Sequence, residues 1–544
     1  MNKILKYTSV IALAMAATSC SDFLDEELKS SLSPENTFTS SLGFEAGSAG
    51  LYSLARSEYN TWGEKGAFMH NGACAYAVQQ IATDIVFQSG AKDGSLTHYA
   101  NLTMTPSTLF IESYWNWLIN AANEILIYAN KNNNWSYPTD KALYQAEARF
   151  FRAYGYRSLQ YLYGDAPWVE TIQQPFVLNF TRTPRAELLS HMVDDLKFTV
   201  DNLPVNPDAV KPGKLTKWAA LHLLAEVYLC QKDYENARKC ARQVIDSGYF
   251  SLMKERFGAE KGKPGDYFHD LFVENNQNRT SGNQESIWVM QFEYKTVGGG
   301  TPSDDWTRRD WLPQYHQLGS FFKICSEYGG RGLAQIAPFK WWIGTKNTNA
   351  TPEAGNVPDG IFEDTDIRNS EYNFKREWIA NQESTKGQRV HITDKYWQDG
   401  WLFPAPTKFF FAHDDDLTHT GSYRDRMKFR LSETYLLLAE AYLGLNDADN
   451  AAKAVNVVRN RAKASSVSAA QMDMDFLLDE RIRELVGEES RRFTLVRTGK
   501  YVDRVRKYNE VLRNTVDEHH ALWPVPKTII DANRDIEFPQ NPGY

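Results

Sequence analysis

Residues 306–315 combine aromatic, cationic and amide side chains in one short stretch, Trp-Thr-Arg-Arg-Asp-Trp-Leu-Pro-Gln-Tyr. A sugar ring has an apolar face of C–H groups edged by hydroxyls, so it is recognised by a flat aromatic ring under the face and polar groups around the rim. The chain also holds 15 Trp and 28 Tyr, more amphipathic rings than a typical core requires. The stretch therefore predicts a carbohydrate-binding surface.

Three other places offer similar side chains. Residues 341–342 are adjacent tryptophans, residues 59–62 read Tyr-Asn-Thr-Trp, and residues 98–101 read His-Tyr-Ala-Asn. Each of these aromatics could instead belong to the core or to an interface, and that alternative stays open for every one. The candidate ligand contacts are Trp62, Tyr99, Asn101, Trp306, Arg309, Trp311, Tyr315, Trp341 and Trp342.

Catalytic signatures are missing from the sequence. It contains no His-Glu-x-x-His helix, no Gly-x-Ser-x-Gly elbow and no phosphate-binding glycine loop. A glycosidase needs only two carboxylates at a set separation, so hydrolysis remains an alternative for a chain with 68 acidic residues. Residues 413–416, His-Asp-Asp-Asp, could bind calcium but lack its spaced loop, which favours a solvated acidic turn. We predict a protein that is not an enzyme and needs no metal or cofactor.

The charge balance argues against nucleic acid as a partner. Lys and Arg number 60 and Asp and Glu number 68, which gives a net charge of −8. Such a chain has no overall positive field to hold a phosphate backbone.

The first residues predict export and a lipid anchor. Lys3 and Lys6 precede a small and apolar run that is too short to span a bilayer, as in a secretory signal over residues 1–19. Cys20 follows small residues, which resembles the lipobox of bacterial lipoproteins, although Ala17 stands where Leu is usual. The acidic residues 21–27 resemble a surface-export signal of Bacteroidetes lipoproteins, so we expect an acylated Cys20 on the outer face of the outer membrane; a plain cleaved signal is the alternative.

The other cysteines do not form a framework. Cys74, Cys230, Cys240 and Cys325 are too few for a disulfide-dense scaffold, and they contain no Cys-x-x-Cys pair for zinc. Cys230 and Cys240 lie on facing halves of a predicted helical hairpin and could pair in an oxidising compartment, but two buried thiols are favoured.

A repeated helical hairpin provides the scaffold. Residues 224–237 and 438–451 lie 214 positions apart and share eight of fourteen residues, including Leu-Ala-Glu, Tyr-Leu and a later Asp, Asn and Ala. This pattern resembles the tetratricopeptide repeat, a helix-turn-helix unit whose apolar stripe must be covered by neighbouring helices. Helical patterns near residues 106–130, 141–163, 185–202, 427–464 and 474–505 are the expected neighbours.

The middle of the chain has a different character. Residues 251–424 hold 17 of the 33 Gly and 8 of the 15 Trp, and short runs such as residues 286–292 are typical of strands. The sequence thus predicts a mostly α fold, a tetratricopeptide-like scaffold of helical pairs with a loop-rich insertion containing short strands. The expected parts are residues 20–250 and 425–544, both helical, and residues 251–424, which would carry the ligand.

Several motifs resemble the SusD family. Residues 144–154 followed by Tyr-Gly-Asp-Ala-Pro at 163–167 are similar to its central helix and exit turn. The Glu/Arg-rich residues 480–497, Trp-Pro-Val-Pro at 523–526 and Gln-Asn-Pro-Gly-Tyr at 540–544 follow in the family's order. From the residues alone, the stretch 480–497 is most simply one helix with interlaced ion pairs, and Pro524 and Pro526 indicate an extended closing segment.

The resemblance implies a lipoprotein that captures a nutrient, usually an oligosaccharide, without catalysis. It also implies that the protein sits over a SusC-like TonB-dependent outer-membrane transporter and delivers the glycan to it. A non-glycan nutrient such as a peptide, or a tetratricopeptide-type scaffold that binds only protein, is the alternative function.

Overall fold

The computed structural model describes residues 33–59, 69–70, 73–90, 94–104, 114–172, 178–300, 305–345, 360–419 and 421–544. These residues form a mostly helical protein with short strands, as the sequence predicts. The α-helices are α1 (Pro34–Thr37), α2 (Ser41–Arg56), α3 (Ala75–Gln80), α4 (Gly94–Ala100), α5 (Asn120–Lys131), α6 (Asp140–Tyr163), α7 (Arg185–Asn202), α8 (Lys217–Cys230), α9 (Tyr234–Ile245), α10 (Tyr267–Asp270), α11 (Thr307–Trp311), α12 (Lys340–Ile343), α13 (Asp394–Gln398), α14 (Leu431–Gly444), α15 (Ala448–Arg461), α16 (Met474–Leu485), α17 (Arg491–Arg497), α18 (Tyr501–Tyr508) and α19 (Lys527–Ala532). None of the helices in these ranges has the length and apolar character needed to cross a bilayer.

The strands pair two at a time and do not build a large sheet within the described ranges. They are β1 (Met69–His70), β2 (Ala73–Cys74), β3 (Val86–Gln88), β4 (Ser286–Met290), β5 (Ile336–Pro338), β6 (Phe374–Lys375), β7 (Trp378–Ile379), β8 (Arg389–Val390), β9 (Ala405–Pro406) and β10 (Arg426–Arg430). The antiparallel pairs are β1–β2, β3–β5, β4–β10, β6–β9 and β7–β8. The pairs β3–β5, β4–β10 and β6–β9 join segments that are distant in the chain.

The helical pairs stack in order. Helices α5 to α9 each pack against the next, and α9 then packs against α14, which packs against α15. Residues 246–430 lie between α9 and α14 in the chain, so the long insertion leaves the stack and returns without interrupting it. A lone hairpin could not bury its apolar stripe, and this stacking is what covers it.

The two repeated hairpins have the same turn. Asp233 and Asp447 cap α9 and α15, each accepting a hydrogen bond from the backbone N–H three residues later, at 3.1 and 3.0 Å. The residues before them, Lys232 and Asn446, have positive φ angles of 59° and 60°. The shared Asp and Asn of the sequence repeat therefore specify the turn, since a side-chain oxygen satisfies an otherwise unpaired N–H at the start of the helix.

The β4–β10 strand pair joins the insertion to the helical stack. In the β4–β10 ladder, Met290 lies opposite Arg426 and Ser286 opposite Arg430. Trp288 of β4 packs edge-on against Phe150 of α6, with ring centroids 5.4 Å apart. One hydrophobic core runs through the stack and most of the insertion; the part boundaries near residues 250 and 424 remain predictions.

The Glu/Arg-rich stretch differs from its predicted form. It folds as the end of α16 and then α17 rather than one helix, and Arg483–Glu480 at 2.9 Å is a local pair. Its other arginines reach distant elements: Arg491 binds Asp84 at 2.7 Å, and Arg497 binds both oxygens of its partner on α14. The sequence predicts ion pairs interlaced along one helix, but most of these charges are buried and link separate parts of the chain.

The closing segment is extended and locked in place. Residues 523–526 have no helical structure, as the two prolines predict. The Asn541 amide donates to the carbonyl oxygens of Tyr163 at 3.1 Å and Trp523 at 2.7 Å, and its oxygen accepts from Arg182 at 2.7 Å. This contact fixes the end of the chain to the exit of α6, where Gly164 has a φ of 72°.

Candidate functional site

Trp306 lies directly before α11 and is fixed by a backbone hydrogen bond and by an arginine against its ring. Its backbone N–H donates to the carbonyl oxygen of Tyr59 at 2.9 Å, which places it beside the end of α2. Its ring is half-buried, and the Arg309 guanidinium lies 3.5 Å from the ring centroid. Arg309 therefore backs the indole ring, part of which stays exposed.

Arg309 connects this ring to the β3–β5 pair. The Arg309 side chain is only 8% exposed, so its guanidinium contacts the Trp306 ring from the protein interior. With the Gln335 amide oriented to present its oxygen, that oxygen accepts from Nη2 of Arg309 at 2.8 Å. The Gln335 carbonyl accepts from the N–H of Ser89 at 3.2 Å, directly after β3. The arginine behind Trp306 is thus hydrogen-bonded to Gln335, which is itself bonded to the end of β3.

A second aromatic pair is linked to the same neighbourhood. The half-buried rings of Tyr396 and Trp401 have centroids 5.7 Å apart and an interplanar angle of 33°. Two backbone hydrogen bonds hold this segment. The Gly90 N–H donates to the carbonyl oxygen of Gln398 at 3.0 Å, and the Gln314 N–H donates to the carbonyl oxygen of the residue before Trp401 at 2.8 Å. We call Trp306 together with the Arg309 behind it the Trp306 surface, and Tyr396 with Trp401 the second aromatic pair.

Four of the candidate ligand contacts lie in the core. Trp311, Tyr315 and Trp342 have no exposed surface, and Tyr99 is 2% exposed. Trp311 donates its indole N–H to Tyr76 at 2.8 Å, and Tyr315 donates its hydroxyl to a backbone carbonyl at 2.7 Å. Because these rings are enclosed and their polar atoms are used internally, they offer no surface to a ligand in this structure.

The remaining candidates are dispersed. Trp341 is half-buried, stacks on Tyr508 at 3.9 Å and donates to the carbonyl of Asp84 at 2.7 Å, so it joins α12 to α18. Asn101 is exposed just after α4, which packs against β3. Trp62 and Cys20 lie outside the described residues.

Buried arginines surround the entrance to α11. Arg308 is 2% exposed and donates to the carbonyl oxygens of Phe411 and His419 rather than to a carboxylate. Burial lowers the pKa of Arg308 to about 10, because a charged group loses hydration there. Nearby, Arg426 donates to both carboxylate oxygens of Asp305, at 2.8 and 2.7 Å. The loop is therefore held by internal cations.

The acidic turn is not an assembled metal site. Asp415 accepts from the Tyr294 hydroxyl at 2.8 Å and from the Lys295 ammonium at 2.5 Å, and Asp416 contacts His419. Across the described part of the chain, no group of three or more His, Cys, Asp or Glu side chains is arranged to hold a metal ion. Cys230 and Cys240 are free thiols.

Two protein-family models match the chain, and together they cover most of it. The model described as "SusD family" matches residues 284–544, and the model described as "Starch-binding associating with outer membrane" matches residues 22–229. The chain belongs to the SusD family.

Relatives that align over most of their length agree with this assignment. SusD-like protein P25 of Formosa agariphila is 26% identical over 98% of this chain and 97% of its own length. The starch-binding protein SusD of Bacteroides thetaiotaomicron is 25% identical over 74% of this chain and 72% of its own. Among solved structures, surface glycan-binding protein A from Bacteroides thetaiotaomicron in complex with laminarihexaose aligns with a TM-score of 0.69 at 18% identity, covering 92% of this chain and all of that one. That likeness identifies the fold.

Sequence reasoning did not single out the second aromatic pair of this SusD-family protein. Residues 395–401 read Lys-Tyr-Trp-Gln-Asp-Gly-Trp, which has the same mixture of rings and polar groups as residues 306–315. The mixture was a usable signal for Tyr396 and Trp401. It could not separate them from Trp397, which is 2% exposed and donates its indole N–H to a backbone carbonyl at 2.9 Å.

Proposed function

We propose that this SusD-family protein binds glycans at the Trp306 surface without cleaving them. The observation that carries the proposal is the half-exposed Trp306 ring backed by a buried arginine. A ring fixed on one face by a guanidinium is pre-organised, so little side-chain entropy is lost when a sugar packs against the rest of it.

The second aromatic pair also has side chains beside it that suit the rim of a sugar. Gln398 is exposed on the helix that precedes Trp401, and Lys395 lies 5.3 Å from the Trp401 ring centroid. Amide and ammonium groups can hydrogen-bond to ring hydroxyls in directions that the aromatic face cannot serve. The names of the relatives, which refer to starch and to a laminarihexaose complex, support a glucan as the first ligand to test.

The proposal includes a membrane partner. As the family resemblance implies, the protein would deliver its glycan to a SusC-like TonB-dependent transporter while anchored through an acylated Cys20. The family description "associating with outer membrane" supports this location. A Cys20→Ala variant would then appear in the soluble fraction after cell lysis, and a tagged wild-type protein would co-purify with a barrel-sized outer-membrane protein.

The direct test is calorimetric titration with laminarihexaose, starch oligosaccharides and a panel of other glycans. Residues 1–20 are removed for this purpose, and wild type is compared with Trp306→Ala. Loss of one stacked ring costs about 1–3 kcal/mol, or roughly 5- to 150-fold in affinity. Tyr137→Ala is the matched control, since Tyr137 is an aromatic residue 68% exposed between α5 and α6.

The outcomes separate the alternatives. Binding of one glycan class that is lost in Trp306→Ala and kept in Tyr137→Ala supports the proposal. Tight binding of a peptide and no glycan would replace it with the non-glycan alternative. Steady release of new reducing ends from a bound polysaccharide would instead make the protein a hydrolase.

A further inference from the structure

The residue that precedes Trp306 is itself buried and held in an unusual backbone conformation. Asp305 is 2% exposed and has a φ of +48°, in the left-handed region that residues other than glycine seldom adopt. Such a conformation persists where its surroundings impose it. The carboxylate makes the contacts that do so.

Asp305 fixes the start of α11 through its own side chain. Its Oδ1 accepts from the backbone N–H of Thr307 at 3.1 Å and from the Thr307 hydroxyl at 2.6 Å. Its carbonyl oxygen accepts from the N–H of Ser422 at 3.0 Å. Together these hydrogen bonds determine the direction in which the chain enters α11. Trp306 lies between Asp305 and Thr307, the two residues that they join.

Arg426 joins this turn to the helical stack. Its Nη2 donates to both oxygens of Asp305 and to the Thr307 hydroxyl at 2.6 Å, while its guanidinium carbon lies 4.1 Å from the ring centroid of Tyr59. Tyr59 is the residue whose carbonyl receives the Trp306 N–H. One guanidinium therefore contacts both segments between which Trp306 is held.

We propose that the buried Asp305–Arg426 pair is a positioning device that sets the orientation of Trp306 and thereby the affinity of the Trp306 surface. The affinity part rests on the proposed glycan binding; the orientation part does not. Neither residue is proposed to contact ligand. Replacing the carboxylate by an amide keeps its shape and tolerance of positive φ but removes the charge that holds Arg426.

The test uses 5-fluorotryptophan-labelled protein lacking residues 1–20 and fluorine NMR, with the Trp306 resonance assigned by Trp306→Phe. Asp305→Asn is expected to shift or broaden the Trp306 resonance and to weaken glycan binding roughly tenfold to a hundredfold, the scale of an ångström-sized misplacement. Arg426→Lys keeps the charge but cannot span the same contacts, and it is expected to have the same effect. Arg426→Lys also tests the proposal if Asp305→Asn does not fold.

The control is Asp195→Asn in the helical stack. Asp195 is also 2% exposed and also pairs with an arginine, Arg152, at 2.7 Å. This variant should lower the melting temperature while leaving the Trp306 resonance and the affinity unchanged at temperatures where it is folded. An unmoved Trp306 resonance in both Asp305→Asn and Arg426→Lys overturns the proposal. If wild type binds no glycan, the resonance still decides the orientation, so the two proposals fail separately.

Discussion

Glu484 lies at the centre of a buried network of charges, and replacing it with a neutral residue tests how the insertion is held against the C-terminal helices. The side chain has no exposed surface. It accepts from Arg430 at 2.5 Å and from Arg368 at 3.0 Å, and it also contacts Arg461. Burial alone would raise the pKa of Glu484, but the three guanidinium groups outweigh it and hold that pKa well below its usual range.

The expected cost of Glu484→Gln follows from what remains behind. An amide of the same size fills the space but leaves three buried guanidinium groups with one carboxylate fewer. Breaking a buried ion pair by removing one partner costs about 3–5 kcal/mol, because the other charge stays dehydrated. The three arginines belong to β10, to α15 and to the insertion, so the loss should loosen the contact between the insertion and the C-terminal helices.

Equilibrium urea unfolding measures this cost as a fall in the midpoint at unchanged slope. The control is Arg238→Gln, which removes an exposed pair of 2.5 Å with Glu235, one turn away on α9, and is expected to change stability by less than about 0.5 kcal/mol. A Glu484→Gln loss below about 1 kcal/mol would refute the reasoning, since it would mean that the network gains nothing from its central carboxylate.

Three further predictions concern single side chains. Burial would raise the pKa of Asp84, but two bound guanidinium groups lower it to about 2. Because the pKa in the folded protein lies below that in the unfolded chain, the ionised carboxylate stabilises the fold above about pH 4, and this stabilisation is lost as the pH falls towards 2. Asp84→Asn should therefore flatten that part of a plot of the urea midpoint against pH. Trp311→Phe removes the hydrogen bond to Tyr76 and should cost about 1–3 kcal/mol in urea unfolding, with glycan affinity unchanged, because the ring is core; a loss of affinity without a loss of stability would contradict its assignment. Asn541→Ala removes the amide's hydrogen bonds to the Tyr163 and Trp523 carbonyls and should cost about 1–3 kcal/mol and speed proteolysis of the closing segment; unchanged cleavage would show that the segment is held elsewhere.

The scaffold could be predicted from the sequence because its signals are local and periodic. The helix predicted over residues 185–202 is α7, Arg185–Asn202, and the repeated Asp at 233 and 447 caps both hairpins. The region near residues 427–464 was predicted as helical throughout, but it begins with strand β10 before α14. Alternating charges in β10 do not reveal that its partner strand lies far upstream.

Which of the candidate rings are exposed could not be predicted from the sequence, because exposure is a property of the fold. Trp306 and Trp311 lie in the same stretch of sequence, yet one ring is half-exposed and the other is enclosed. The five-residue helix α11 separates them and turns Trp311 into the core, where Phe409 stacks on it at 5.5 Å. Spacing alone does not specify that rotation, and the residue before Trp306, Asp305, is bound by Arg426 from a strand more than a hundred residues away.

The central claim is that this SusD-family protein binds a glycan through Trp306. Calorimetric titration of wild type and Trp306→Ala with the best glycan of the panel tests it most directly, with each protein first shown to be folded. The account predicts saturable binding by wild type, a roughly 5- to 150-fold weaker affinity in Trp306→Ala and no new reducing ends in either cell. Equal affinity in the two proteins would contradict it.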